Sequence, residues 1–250
     1  MYKQGLVILI LGCVVAAGCN STRMFSRGDK SMQNGRYKEA ITYYDKGLRR
    51  SDSYEASLNK GIAQWKIREY SNAEISFSEA IEASPEYAPL AYYYRSELEF
   101  KAGNVSDALN DVNRSLGQNS LNVQALNLRG RIHTLQGRYA AAIEDLSAAI
   151  AIEGESRITG YLYHNRAIAY IGKDDFKSAR DDCEQFVRFL KKNDLPVTVE
   201  DNYLLGVLQY AVDDEDGAFT SWKHLPTEEK AKIRRIVGNY NSMDHFKETK

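Results

Sequence analysis

The sequence predicts an all-α fold in which about six helix pairs stack into an α-solenoid with a C-terminal capping helix. One observation is a repeated spacing: an alanine stands twelve positions after each of six small residues, and a bulky or apolar residue stands sixteen positions after it. The six sets are Gly28/Ala40/Tyr44, Gly61/Ala73/Phe77, Ser96/Ala108/Val112, Gly130/Ala142/Leu146, Ala167/Ala179/Cys183 and Gly206/Ala218/Trp222. The other observation is that apolar residues recur three and four positions apart in RYKEAITYYDKGL and RYAAAIEDLSAAI, as they do on one face of a helix.

Each set is expected to form two helices joined by a turn. Nine positions after the small residue stand Tyr37, Tyr70, Val105, Tyr139 and Phe176, with Glu215 in the sixth set. The stretches NGR at 34–36 and QGR at 136–138 supply a glycine where the first helix must end and the chain must turn back. The small residues should let the paired helices approach closely, with the residue sixteen positions later packed beside them. Each pair is too apolar to be stable alone, so the pairs should stack continuously.

These features resemble the tetratricopeptide repeat, a helix–turn–helix unit of about 34 residues. The steps between successive small residues are 33, 35, 34, 37 and 39. The resemblance covers about residues 22–225, with repeats at about 22–53, 54–87, 88–121, 122–155, 159–192 and 198–225. The sixth repeat is degenerate because Glu215 replaces the apolar or aromatic residue. Residues 226–250 are expected to form a capping helix, with Thr227 as its N-cap, and a loose tail.

The N-terminal stretch LVILILGCVVAAGCN, residues 6–20, predicts an export signal. Its apolar run from Gly5 to Gly18 is 14 residues long, whereas a membrane-spanning helix needs about 20. Lys3 precedes the run and small residues close it, which is the pattern of a cleaved secretory signal peptide over residues 1–18.

The sequence AAGC at 16–19 resembles a bacterial lipobox, in which the signal peptidase cuts before the cysteine and that cysteine is acylated. The resemblance implies lipidation at Cys19, for example with palmitate. ILGC at 10–13, which would place the lipid on Cys13, is an alternative, and so is an ordinary cleaved signal peptide. Asn20 follows the cysteine, where an Asp would retain such a lipoprotein in the inner membrane. We therefore expect an outer-membrane lipoprotein that faces the periplasm.

The composition favours an interaction protein over an enzyme. The chain carries 33 basic and 34 acidic residues, and such a near-neutral protein should offer no broad basic field to nucleic acid or anionic lipid. Its four histidines are scattered, and the sequence contains no HExxH, CxxC, GxGxxG or GxxxxGK[ST] motif. DDEDG at 213–217 lacks the first and twelfth ligands of a calcium loop and is expected to be a solvated turn. We expect no catalytic residue, cofactor, metal or nucleic-acid partner.

A basic residue precedes the small residue in five sets: Arg27, Lys60, Arg95, Arg129 and Arg166. In three of them an aspartate follows sixteen positions later, at Asp111, Asp145 and Asp182. Because the turn falls midway, each pair should face across its two helices. Structural bridges between Arg and Asp are the favoured interpretation, and a ligand-binding arginine ladder is the alternative. Cys183, the one thiol left in the mature chain, is expected to be buried and inert.

The family resemblance also implies a binding groove lined by the first helix of each repeat. The positions that correspond to it are Trp65, Tyr93, Glu97, Phe100, Asn127, Arg131, Tyr161, His164, Asn165 and Tyr210. Tyr92, Tyr93 and Tyr94 are consecutive, and a helix cannot bury three neighbours on one face, so at least one should look into the groove. The alternative is that Tyr92 is core and the other two pack between repeats. The Lys and Asn with which some family members hold a peptide carboxylate are missing.

The resulting hypothesis is a non-enzymatic, lipid-anchored scaffold or assembly factor for a cell-envelope machine. The sequence resembles tetratricopeptide lipoproteins that act as pilotins for type IV pilus secretins. An adaptor that recruits periplasmic proteases or peptidoglycan hydrolases is the alternative. The expected partners are envelope proteins bound in the groove and a membrane reached through the N-terminal lipid.

Overall fold

The computed structural model describes residues 20–154, 156, 158–223 and 225–228. Every regular element in these residues is a helix, which confirms the predicted all-α class. In chain order the helices are α1 at residues 20–33, α2 Tyr37–Leu48, α3 Tyr54–Lys66, α4 Tyr70–Ala83, α5 Pro89–Ala102, α6 Val105–Gln118, α7 Val123–Leu135, α8 Tyr139–Glu153, α9 Thr159–Gly172, α10 Phe176–Lys192, α11 Val199–Ala211 and α12 Glu215–Trp222. Within the described part of the chain, none of them is both long and apolar enough to cross a bilayer.

Three of the sequence predictions lie wholly or largely outside the described residues. These are the signal peptide at 1–18, the lipidation of Cys19, and the capping helix and tail at 226–250, of which only residues 227 and 228 are described as helical.

The chain divides into two compact units, which are described separately. Unit 1 ends at Ala125 and contains α1 to α6, and unit 2 begins at Leu126 and contains the greater part of α7 and α8 to α12. Within each unit the helices pack in chain order, so that α3 packs on α4 and α5 on α6 in unit 1, and α9 packs on α10 and α11 on α12 in unit 2. Successive pairs also contact each other, through α4 and α5 in unit 1 and through α8 and α9 in unit 2.

The second helix of each pair begins at the position predicted from the spacing. Helices α2, α4, α6, α8, α10 and α12 begin at Tyr37, Tyr70, Val105, Tyr139, Phe176 and Glu215, each nine positions after its small residue. Two positions earlier the backbone is left-handed in all six pairs, at Gly35, Arg68, Gly103, Gly137, Asp174 and Asp213, with φ between 61° and 87°. The glycines at 35 and 137 are the predicted turn residues. Arg68, by contrast, adopts a conformation that side chains disfavour.

The repeated alanines and their bulky partners form the core between paired helices. Ala40, Ala73, Ala108, Ala142, Ala179 and Ala218 are all fully buried. A Cβ added to Gly61 would lie 2.5 Å from the ring of Phe77, and one added to Gly130 would lie 2.7 Å from Leu146. The close approach predicted at the small residues is therefore confirmed, and the side chain sixteen positions later occupies the space that a larger residue would need.

The segment DDEDG at 213–217 is a short turn that leads directly into α12. Asp213 is the left-handed turn residue, and the carboxylate of Asp214 accepts a hydrogen bond of 3.0 Å from the backbone N–H of Gly217. The acidic residues that follow lie in the first turn of α12, where the helix dipole favours negative charge. The predicted turn is therefore present but shorter than expected, because part of the segment is helical.

Candidate protein-binding surfaces

In unit 1, the predicted groove residues lie on two first helices that pack side by side. Trp65 is in the last turn of α3, and Tyr93, Glu97 and Phe100 follow one another on α5 at spacings of four and three. This spacing places the three α5 side chains on one face of the helix. Helices α3 and α5 contact each other, so this face of α5 and the end of α3 form one surface. We call these four residues the unit 1 surface.

The unit 1 surface rests on a row of packed aromatic rings. The ring centroid of Tyr94 lies 6.0 Å from that of Trp65, 5.1 Å from that of Tyr93 and 5.3 Å from that of Phe77, with which it stacks. Tyr92 is only 4% exposed and belongs to the core. The alternative interpretation is therefore the correct one for two of the three consecutive tyrosines: Tyr92 lies in the core, and Tyr94 packs against the preceding repeat. Tyr93 is half-buried.

Cations border the aromatic side of the unit 1 surface. The Nζ atoms of Lys66 and Lys101 lie 5.2 and 5.1 Å from the Trp65 ring centroid, which is within cation–π range. Lys101 Nζ also lies 3.5 Å from the Glu97 carboxylate. The indole Nε1 of Trp65 is buried, and no described group accepts a hydrogen bond from it. The surface therefore combines aromatic rings with charged side chains, and the buried indole N–H lies beneath it.

In unit 2, four predicted groove residues come together on α7 and α9. Asn165 Nδ2 donates a hydrogen bond of 2.8 Å to Asn127 Oδ1 and so links the two first helices. Tyr161 is 48% exposed. The His164 ring lies 4.7 Å from that of Phe186, a residue of the second helix α10 that the sequence reasoning missed. We call Asn127, Tyr161, His164 and Asn165 the unit 2 surface.

The unit 2 surface is largely uncharged at neutral pH. Burial lowers the pKa of His164, and the nearby charge of Asp201 opposes this only in part, so the imidazole is neutral near pH 7. Arg131, one turn after Asn127 on α7, is half-buried and has interactions of its own. Tyr210 lies elsewhere, at the end of α11, where its ring centroid is 6.1 Å from that of Trp222. The structure thus gathers only part of the predicted set in unit 2.

The predicted Arg–Asp pairs form in all three repeats. Each arginine donates two hydrogen bonds to the aspartate sixteen positions later, one to each carboxylate oxygen. The distances are 2.6 and 2.9 Å from Arg95 to Asp111, 2.8 and 2.7 Å from Arg129 to Asp145, and 2.7 and 2.8 Å from Arg166 to Asp182. The bonds to the carboxylates raise the pKa of all three arginines. The aspartate side chains are at most 10% exposed. The predicted pairing across the two helices is confirmed.

Arg95 and Arg166 also reach the preceding helix pair. Arg95 Nη1 donates to Ser78 Oγ on α4 at 3.0 Å, and Arg166 Nη1 donates to Ser147 Oγ on α8 at 2.9 Å. Each bridge therefore joins three helices. This use of the guanidinium favours the structural interpretation over a ligand-binding ladder.

A neutral link that the sequence reasoning missed replaces the charged bridge in two other pairs. Ser76 Oγ donates to Gln64 Oε1 between α3 and α4, and Ser221 Oγ donates to Gln209 Oε1 between α11 and α12, both at 2.7 Å. Both serines stand at the position that aspartate occupies in the charged repeats. The signal was in the sequence, because a glutamine stands three positions after the small residue in both sets, at 64 and 209.

Neither a metal site nor a reactive thiol is found in the described residues. No group of three or more His, Cys, Asp or Glu side chains there could hold a metal ion. Cys183 is 3% exposed, and burial raises the pKa of its thiol to about 12. The predicted burial of Cys183 is confirmed, and a thiol that stays protonated is a poor nucleophile.

Consecutive helix pairs with small residues at the closest approach, a left-handed turn at a fixed position and aromatic first-helix surfaces define a tandem helical-repeat protein. The sequence profile of the tetratricopeptide repeat matches residues 25–88 and 93–156. The chain belongs to the tetratricopeptide repeat family. A comparison with curated proteins gives no match.

Several solved structures share the fold. PilF of Pseudomonas aeruginosa matches with a TM-score of 0.66 and 13% identity over 92% of this chain and 98% of its own. PilW, described as a widely conserved type IV pilus biogenesis factor, matches with a TM-score of 0.64 and 14% identity over 90% and 97%. YrrB, described as a tetratricopeptide protein with an unusual peptide-binding site, matches with 0.57 and 17% over 66% and 84%. At these identities the likeness shows the fold alone.

Proposed function

We propose that this chain is a lipid-anchored, non-enzymatic scaffold that binds an envelope protein and assists the assembly of a type IV pilus secretin. The observation that carries the binding role is the unit 1 surface, where half-buried aromatic rings and two bordering lysines lie together. The pilus assignment takes its support from the likeness to PilF and PilW, which extends over nine tenths or more of this chain.

The chemistry of the unit 1 surface suits an extended or helical segment that is apolar on one side. Aromatic side chains with a polar atom contribute strongly to binding because they bury a large area and still offer a directed hydrogen bond. Lys66 and Lys101, which border the Trp65 ring, could pair with carboxylates of the segment. An acidic, partly apolar segment of an envelope protein is therefore the partner that fits best.

The lipid anchor on Cys19 is part of the same proposal. Residue 20 is already helical, so a lipid on the preceding cysteine would have a short tether at about 3.5 Å per residue. The first helix pair would then lie close to the bilayer, which we propose is the outer membrane seen from the periplasm. Labelled palmitate should be incorporated into the chain and lost in Cys19→Ser. Incorporation that persists in Cys19→Ser would overturn this choice of cysteine.

The binding role is tested by affinity recovery from solubilised envelope. We expect a secretin to be recovered with the wild-type chain and to be lost with the double variant Trp65→Ala/Tyr93→Ala. Tyr87→Ala is the matched control, because Tyr87 is an aromatic residue in unit 1 that is 57% exposed and lies between α4 and α5. The control should retain the partner, and thermal melting should show that the double variant remains folded.

Other results of the same experiment would change the conclusion. Recovery of periplasmic proteases or peptidoglycan hydrolases instead of a secretin would replace the proposal with the adaptor function. A secretin that is retained by the folded double variant would remove the unit 1 surface from the binding role. The scaffold proposal as a whole fails if the purified chain turns over a substrate and recovers no protein.

A further inference from the structure

The near-zero net charge of the chain conceals an uneven distribution. Residues 20–50, which contain α1 and α2, carry eight basic and three acidic side chains and a net charge of +5. Residues 51–250 carry 24 basic and 31 acidic side chains and a net charge of −7. The expectation that the chain offers no broad basic field rested on the whole-chain total, which does not describe the first helix pair by itself.

All the positive charge of this pair is at the surface. The eight basic side chains are exposed, and they are Arg23, Arg27, Lys30, Arg36, Lys38, Lys46, Arg49 and Arg50. The three acids are only partly exposed and have partners. Asp29 accepts hydrogen bonds from Tyr44 Oη at 2.7 Å and Asn59 Nδ2 at 3.2 Å, Asp45 lies 3.0 Å from Lys60 Nζ, and Glu39 lies 3.6 Å from Arg36. With all three acids counted, the pair still carries a net charge of +5.

Half of these cations converge on one cleft between α1 and α2. The cleft has a volume of about 560 Å³, and its described lining residues, none of them acidic, are Asn20, Met24, Arg27, Tyr43, Lys46, Arg49 and Arg50. The Tyr43 ring lines the cleft, with Arg27 Cζ and Lys46 Nζ each 5.8 Å from the ring centroid. Arg23 lies one helical turn before Arg27 and therefore on the same face of α1. We call this surface the basic cleft.

We propose that the basic cleft binds the anionic phospholipid headgroups of a bilayer. Clusters of about four to eight Lys and Arg beside a membrane anchor bind anionic lipid, and arginine holds phosphate with paired hydrogen bonds. Tyr43 and Met24 supply the apolar component that suits the interface between headgroups and acyl chains. Asn20 lines the cleft and directly follows Cys19, so acyl chains on that cysteine would enter the bilayer beside these cations. The inference rests on the proposed lipid anchor for this orientation.

The test compares hydrogen–deuterium exchange of the full chain on two kinds of vesicle. One is phosphatidylcholine alone, and the other is phosphatidylcholine mixed with phosphatidylglycerol. We expect amides of residues 43–50 to exchange about tenfold more slowly on the phosphatidylglycerol vesicles at low salt, and the difference to disappear at high salt, because exposed charge interactions are screened. Equal exchange on both vesicles would overturn the inference.

A charge-reversal variant identifies the side chains responsible. Lys46→Glu/Arg49→Glu/Arg50→Glu changes only exposed residues and should abolish the protection. Lys173→Glu/Lys177→Glu/Lys191→Glu is the matched control: it makes the same change in net charge at three exposed lysines of unit 2 and should retain the protection. Protection that survives in the first variant, or that is lost equally in both, would overturn the role of the basic cleft.

Two further arms separate other sources of negative charge. Inorganic phosphate added to phosphatidylcholine vesicles should not reproduce the protection, and if it does, the site binds free phosphate. If the charge-reversal variant loses the envelope partner and keeps its protection on phosphatidylglycerol vesicles, the cleft binds an acidic protein and the lipid inference fails.

The difference in exchange between the two kinds of vesicle does not depend on the proposed scaffold function. Both vesicle types accept an acylated Cys19 equally, and an unlipidated chain can be tested with the same vesicles. The partner recovery with Trp65→Ala/Tyr93→Ala concerns a different surface. A failure of the lipid inference therefore leaves partner recovery unchanged, and a failure of partner recovery leaves the vesicle difference unchanged.

Discussion

The α7/α8 and α3/α4 pairs connect their helices through the same position of the second helix with different chemistry. In α7/α8 a bidentate bridge joins Arg129 to Asp145, whereas in α3/α4 a neutral hydrogen bond joins Ser76 to Gln64. Both links are largely buried, and both join the first helix to the second. The linked residues are sixteen positions apart in α7/α8 and twelve positions apart in α3/α4. Both pairs therefore satisfy a buried polar group at this position of the second helix, one with a charged link and the other with a neutral link.

The two links should differ sharply in what happens when one partner is removed. Removing one partner of a largely buried ion pair leaves the other charge poorly solvated, which costs about 3 to 5 kcal/mol when the pair is fully buried. A buried neutral group that loses its hydrogen bond costs only about 1 to 3 kcal/mol. The charged link is thus the more sensitive of the two to single substitutions, although it need not be the more stabilising.

The largest expected effect is that of Asp145→Ala. It leaves the Arg129 guanidinium without its carboxylate, and we expect the free energy of unfolding to fall by about 3 kcal/mol. Urea denaturation measures this loss, and partner recovery from envelope should be unchanged. Replacing both residues together, as Arg129→Met/Asp145→Leu, should restore most of the stability. Unchanged stability with loss of the partner would support the ligand-binding ladder.

The next effect is that of Ser76→Ala in the α3/α4 pair. Gln64 is 5% exposed, and its side-chain oxygen would lose the hydrogen bond that the Ser76 hydroxyl donates. We therefore expect the free energy of unfolding to fall by about 1 kcal/mol in the same denaturation experiment. Ser221→Ala provides the parallel measurement in α11/α12. A loss as large as that of Asp145→Ala would show that the comparison between charged and neutral links is wrong.

Effects of equal or smaller size extend the comparison to the turns of the same two pairs. The left-handed residue is Arg68 in α3/α4 and Gly137 in α7/α8. Arg68→Gly should raise the free energy of unfolding by about 0.5 kcal/mol, because relief of the backbone strain exceeds the added chain entropy. Gly137→Ala should lower it by about 1 kcal/mol. Calorimetric melting of the two variants should shift the transition in opposite directions.

The smallest expected effect is on the pH dependence of stability, and it concerns His164 of α9. The pKa of His164 is lowered by burial from its usual 6.5, so below pH 6.5 the unfolded chain takes up a proton more readily than the folded chain. Stability should therefore fall as the pH decreases through 6.5 towards the folded-state pKa. His164→Gln should weaken this dependence, whereas a profile that is identical in the variant would contradict the assignment to His164.

Much of the fold could be predicted because packing imposes a fixed spacing. The core between paired helices needs a small residue, an alanine and a bulky or apolar residue at constant intervals. Gly61, Ala73 and Phe77 show this spacing in the sequence. The Arg–Asp bridges were predictable for the same reason, since one offset carries both partners. Polar links and turns vary more, because several residue types satisfy them, and the left-handed Arg68 carries no sequence signal of its own.

The surfaces were less predictable because they depend on which side chains of different helices meet. The approach of Lys101 to Trp65 and of Phe186 to His164 crosses from one element to another, and no repeat spacing specifies it. The basic cleft was hidden for another reason. Net charge is a sum over the chain, whereas Arg27 and Lys46 act through their position beside Tyr43.

The burial of Cys183 gives the chain an internal reporter of its own motions. An alkylating reagent needs both access and a thiolate, and the closed α9/α10 pair denies it both. The rate of modification at this residue, located by mass, therefore counts how often that pair separates. Comparing this rate with the global unfolding rate would show whether one repeat can open while the rest of the chain stays folded. Such local unfolding is expected of repeats that contact only their neighbours.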